Sequence, residues 1–239
     1  MTSLLLLTSL MLLSLFAVHL VNKREETFRR TRLQQRRLRW RIDALEEVLV
    51  GVEQTLPTRT IARCINGEIL HLLEQALELE KGQNSHLETR INHVQQRDEE
   101  MAQKIERPSA NRLRESDAEM ARTKEALDQA ARVLRRQSQQ GRLAGDSLEE
   151  HLRELSWTKL MVDVVTYIAE GHKAVMHGDF TTSQAYYKKA QGLLIGSDHP
   201  NPKRMDVIRE LGEVIQGKRQ ALSRDLMPED DYNPQTPVL

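Results

Sequence analysis

Residues 3–21 (SLLLLTSLMLLSLFAVHLV) carry no formal charge. As a helix rising 1.5 Å per residue the stretch is about 28 Å long, close to the roughly 30 Å hydrocarbon core of a bilayer. It predicts a transmembrane anchor over residues 1–22, carried by Leu4, Leu5, Leu12, Leu13, Phe16 and Val21. A cleaved signal peptide would want a basic start and a small-x-small cleavage site. Met1-Thr2-Ser3 has no base, and the stretch ends His19-Leu20-Val21-Asn22.

A different rhythm follows. Phe28, Thr31, Gln35, Leu38, Ile42, Leu45, Leu49, Val52 and Leu56 alternate three and four apart, and the run from Leu38 to Leu56 is apolar throughout. This is a coiled-coil seam, which needs a partner helix from a second copy or from later in the chain. Pro57 breaks it. Ile61, Ile65, Ile69, Leu72, Ala76 and Leu79 then form a wider stripe, suited to a helix buried in a bundle. Leu87, Ile91, Val94, Met101 and Ile105 narrow it after Gly82. Pro108 breaks the pattern again, and Leu113, Met120, Leu127 and Leu134 recur at sevens before Gly141 and Gly145. Residues 23–56 and 57–140 thus predict about four helical stretches. An interrupted rod made by self-association and a folded-back bundle both fit this periodicity.

The C-terminal part is read as a helical domain over 146–224. Asp146-Ser147-Leu148-Glu149-Glu150 predicts a helix start with a Ser147/Glu150 capping box, running to about His177. Gly178-Asp179 turns into a helix from Phe180 to about Ile195. The 196–202 loop contains Pro200 and Pro202. A third helix carries Met205, Ile208, Leu211, Val214, Ile215 and Leu222. Residues 225–239 hold Pro228, Pro234 and Pro237 with four acids and no base, and predict a flexible acidic tail.

Composition fits an all-α fold: nine aromatics, 11 glycines and seven prolines in 239 residues, with 29% charged. That is poor material for sheets. Thirty-five Lys+Arg balance 35 Asp+Glu, which argues against the whole chain being a polyanion binder. The balance averages unlike parts. Residues 23–41 hold nine Lys/Arg, among them Lys23, Arg24, Arg29, Arg30, Arg32, Arg36 and Arg37, against Glu25 and Glu26. The excess predicts an N-terminus outside and the rest of the chain in the cytoplasm, as in a bacterial inner-membrane protein. Contact with anionic headgroups is a further reading of these bases. Phe28 and Trp40 are too sparse to support nucleic acid as a partner. Residues 68–106 hold nine acids against four bases. They have two readings: pairing with the basic stretch, or two solvated faces.

Five of the nine aromatics fall in the C-terminal part: Trp157, Tyr167, Phe180, Tyr186 and Tyr187. Tyr167-x3-Gly171-x2-Ala174, then Gly178-Asp179-Phe180, then Ser183, Tyr187 and Ala190, resemble one tetratricopeptide repeat over about residues 164–197. Glu170 departs from the family's aliphatic preference, and the closing proline is displaced to Pro200. The resemblance implies a helical hairpin packed through Tyr167, Gly171, Ala174, Gly178, Phe180, Ser183, Tyr187 and Ala190. It also implies a protein-binding groove lined by Thr166, Glu170 and Lys173, with neighbouring helices covering what one repeat cannot bury.

Catalytic patterns contribute little. Glu68-x-x-His71 has half the spacing of a di-iron bundle site and has no second copy. There is no Gly-rich phosphate loop, G-x-S-x-G or H-E-x-x-H. The one cysteine, Cys64, excludes an internal disulfide and a Cys-based zinc site. The reading is a membrane-anchored, self-associating helical adaptor without cofactor, recruiting a protein through its C-terminal domain. The alternatives are an exported periplasmic helical protein and, third, a helical-bundle metal enzyme.

Overall fold

The computed structural model describes residues 2–80, 84–103 and 110–229; for residues 2–18, 20, 21 and 27 it describes the backbone alone. The described residues are all-helical, with no strand. Seven helices run in order: α1 (Thr2–Thr55), α2 (Thr60–Leu79), α3 (Ser85–Ala102), α4 (Asp117–Gln139), α5 (Gly145–Met176), α6 (Phe180–Ile195) and α7 (Lys203–Ile215). The apolar stretch 3–21 is helical backbone at the start of α1. The anchor side chains Leu4, Leu5, Leu12, Leu13, Phe16 and Val21 lie outside the described residues. Among the described residues no helix is long and apolar enough to cross a membrane.

The chain divides into two compact units, the first comprising Met1–Ala44 and Ile69–Gln95, the second Leu45–Glu68 and Gln96–Leu239. In the first unit Ile42, Ile69, Leu72, Leu73, Ala76, Leu87 and Val94 are buried. The arginine-rich and acidic stretches meet here within one chain: Arg39 pairs with Glu80 at 3.1 Å. The opposite sense also occurs, Arg90 lying 3.5 Å from Asp43. Most of the remaining described bases on α1 are solvated or paired locally, as in Arg30–Glu26 at 2.5 Å.

The heptad seam is filled from within. Leu38 is half-buried, and Ile42, Leu45, Leu49, Val52 and Leu56 are buried in the single chain. Within each unit, then, later helices of the same chain supply cover for these seam residues. Gly51 shows how closely α1 and α4 approach: a Cβ there would stand 3.0 Å from that of Ala126.

In the second unit α4 starts at an N-cap. The Ser116 hydroxyl accepts from the Glu119 N–H at 3.2 Å, and the Glu119 carboxylate accepts from the Glu115 N–H at 2.9 Å. Two lysine–aspartate pairs tie α4 to α5, Lys124–Asp163 at 2.8 Å and Lys159–Asp128 at 2.6 Å. α5 starts at Gly145 behind Ala144, without a side-chain cap. The expected Ser147/Glu150 box is therefore absent, because both residues already lie inside the helix. Gly178 ends the α5 cap with φ +75°, a left-handed conformation glycine adopts without a Cβ clash. The Asp179 N–H bonds back to Ala174 at 2.9 Å.

α6 packs on α5, and α7 on α6. Their core holds Met161, Val165, Ile168, Tyr187, Leu194, Leu211 and Val214. α7 stops at Ile215, short of the expected Leu222, where Gln216 and Gly217 close it. The chain then turns back. Glu210 anchors the return, accepting from Arg219 at 2.9 Å and from the Ser223 N–H at 2.7 Å. Leu226 and Met227 enter the core. The flexible tail expected from residue 225 therefore does not begin there. Leu226, Met227 and the Glu229 carboxylate are packed, while Pro228 is exposed; residues 230–239 lie outside the described residues.

Candidate functional site

A cleft of about 680 Å³ opens in the second unit. The first half of α5 gives its wall: Arg153, Glu154, Trp157, Thr158 and Met161. The loop His199–Lys203 faces it, and Pro57-Thr58, Arg112 and the returning chain at Asp225, Leu226 and Pro228 complete the lining.

The wall is held by a few directed bonds. Trp157, half-buried, lies against the His199 ring with centroids 5.3 Å apart at 39°. His199 Nδ1 accepts from the Asn201 N–H at 3.1 Å. Its Nε2 faces the Arg153 carbonyl at 3.0 Å and the Ser156 hydroxyl at 3.1 Å. A carbonyl can only accept, so the ring is the Nε2–H tautomer and both nitrogens are used. His199 therefore holds the loop to α5. Thr58 donates to Glu154 at 2.6 Å, fixing the Pro57 corner.

On the opposite side Arg112 grips the returning chain. Its guanidinium donates to both oxygens of Glu229, to Oε2 at 3.0 Å, and to the Leu226 carbonyl at 3.1 Å. A planar fork on a carboxylate is the geometry arginine is suited to. The Glu229 side chain is 2% exposed, so this pair closes that side of the cleft as a fixed wall. Beneath it Arg114 binds three threonines from different helices. It donates from Nε to Thr123 at 2.7 Å and from its terminal nitrogen to Thr55 at 2.6 Å, and its backbone N–H donates to Thr166 at 3.2 Å. Burial lowers the Arg114 pKa from its ordinary value.

The residues expected to line a groove are not brought together as one. Thr166 is 4% exposed and serves Arg114 from the interior. It is withdrawn from the groove because α5 turns that face to the core. Glu170 is half-buried and bonded to Lys173 at 2.7 Å; Lys173 is exposed. Among the hairpin residues, Gly171, Ser183, Tyr187 and Ala190 are buried, and Tyr167 and Ala174 are half-buried. Phe180 is 66% exposed and is no core residue, since as the first residue of α6 it precedes the packed face. Gly178 is exposed at the turn. The smallness of Gly171 has a direct cause: a Cβ there would lie 2.7 Å from Tyr187 Cδ1.

Trp157 and the His-Pro-Asn-Pro run at 199–202 were both visible in the sequence. Their juxtaposition was not, because 42 residues and a helical hairpin separate them. Glu68 and His71 make separate bonds. Glu68 is buried and accepts from Arg142 at 2.5 Å, while His71 Nε2 contacts the Gln75 amide at 2.9 Å. Among the described residues no group of three or more His, Cys, Asp or Glu is placed to hold a metal. No family model, curated protein or solved structure matches the chain.

Proposed function

We propose that this protein is a non-enzymatic helical adaptor, anchored to a membrane by residues 1–22 with the remainder on the cytoplasmic side, and that its C-terminal domain recruits a protein partner. The observation that carries this reading is the Trp157 cleft. It is concave, its floor is apolar, and the prolines at 57, 200, 202 and 228 line it with backbone that has no N–H to offer. Such a surface recognises side chains through shape and apolar contact, with Arg153 and Lys203 as charged rim. The groove of the tetratricopeptide resemblance is thereby moved from Thr166, Glu170 and Lys173 toward the start of α5. The hydrogen-bond roles of His199, Glu68 and Arg112 are structural, which favours binding over catalysis.

The experiment is photocrosslinking in intact cells from a crosslinking amino acid at Lys203, with and without Trp157→Ala. A discrete protein adduct that disappears in Trp157→Ala is expected. An adduct unchanged by Trp157→Ala, or none at all, would refute recruitment through the cleft. Alkaline carbonate extraction tests the anchor: the protein should remain in the membrane pellet.

A further inference from the structure

α1 carries a second ridge, on the side away from its buried seam. At 100° per residue, Arg29, Leu33, Arg36 and Trp40 recur four, three and four apart and fall on one face, with Arg37 beside them. Ile42, within the same unit, lies on the opposite side and is 1% exposed. On the ridge Trp40 is 76% exposed and Leu33 54%. Arg36 and Arg37 are exposed and have no ion pair among the described residues. Arg29 reaches Glu25 only at 3.5 Å.

We infer that this ridge is a docking surface for an acidic amphipathic helix of a partner protein. The four-three spacing matches one side of a helix pair, with Leu33 and Trp40 as the apolar knobs and the arginines as flanking charges. Exposed tryptophan with arginine is also the composition of interface hot spots. Charge selects the occupant. A second copy lying parallel on the same membrane would set arginine against arginine, whereas an acidic helix neutralises Arg29, Arg36 and Arg37. Lipid can reach Arg29, about 12 Å beyond Val21 along the helix, but distance disfavours it at the far end of the ridge. With the proposed anchor in place, Trp40 stands about 28 Å beyond Val21 along the helix, and a 40° tilt still leaves about 22 Å. That is about twice the Debye length at physiological salt or more. The ridge shares no residue with the Trp157 cleft, so either surface can fail without the other.

The test uses the full chain in zwitterionic detergent with Trp157→Phe, which leaves Trp40 as the single tryptophan. The probe is a designed four-heptad peptide with Leu at a and d and Glu at e and g. A saturable blue shift of Trp40 emission is expected, weakened in 0.5 M salt. The double variant Arg36→Glu, Arg37→Glu should raise the apparent Kd about tenfold or more, with the far-UV circular dichroism unchanged. No shift with the peptide, or a shift insensitive to salt, overturns the proposal. So does an equal or larger shift with anionic phospholipid vesicles or single-stranded oligonucleotide.

Discussion

Gly171 and Arg114 each hold a position where the neighbouring side chains make substitution costly. At Gly171 the Tyr187 ring occupies the space a methyl group would take. Gly171→Ala should therefore lower stability by about 1–3 kcal/mol in urea unfolding, the usual cost of overpacking. Tyr187→Leu in the same chain should recover part of it. Arg114 satisfies the Thr55, Thr123 and Thr166 hydroxyls from one guanidinium and its own backbone. Arg114→Ala leaves buried hydroxyls without that partner and should cost about 2–4 kcal/mol. Arg114→Lys should recover little, since an ammonium lacks the fork. Cys64 is governed by its surroundings in another way. Burial pushes its thiol up, against the opposing pull of Arg63. At pH 8 its alkylation by iodoacetamide, followed by mass spectrometry, should be slower in the folded chain than in urea.

At the scale of helices, caps decide where the elements begin. Asp179 caps α6, accepting from the Thr182 N–H at 3.0 Å. The Thr182 hydrogen bonds hold its carboxyl below the ordinary value. A depressed carboxylate contributes stability above its unfolded pKa and loses it as pH falls through the folded one. The acid-induced loss below about pH 4 should thus be shallower in Asp179→Asn, whose cap does not titrate. The sequence marked Gly178-Asp179 as the turn before this helix, and the cap itself emerges from the structure. The Ser147/Glu150 box matched its pattern as well and is absent, because the same motif occurs inside helices. The helices of 28–140 were legible from their periods, but period alone left their partners open. A seam has the same spacing whether its complement comes from the same chain or from another, and only the structure shows that Ile42 to Leu56 are buried within the one chain. The groove was misplaced for a related reason. Position within a repeat does not say which face of α5 the rest of the chain covers, and Arg114 and its threonines cover the face at Thr166.

Across the molecule, one compact unit is assembled from two separate lengths of chain, Leu45–Glu68 and Gln96–Leu239, and its core is completed by the returning Leu226 and Met227. Truncation after Arg224 removes both side chains and the Glu229 carboxylate on Arg112. It should lower the melting temperature measured by circular dichroism by several degrees, in line with a loss of about 2–4 kcal/mol. The interruption has another consequence. Everything between Ile69 and Gln95 belongs to the other unit, so a peptide bond lost there severs no strut of this one. Arg142 still meets Glu68, Arg114 still meets Thr55, and the Gln137 amide still meets the Cys64 carbonyl at 2.8 Å. A chain split after Gly82 and expressed as two fragments should therefore reassemble by complementation, its halves co-purifying with no covalent join.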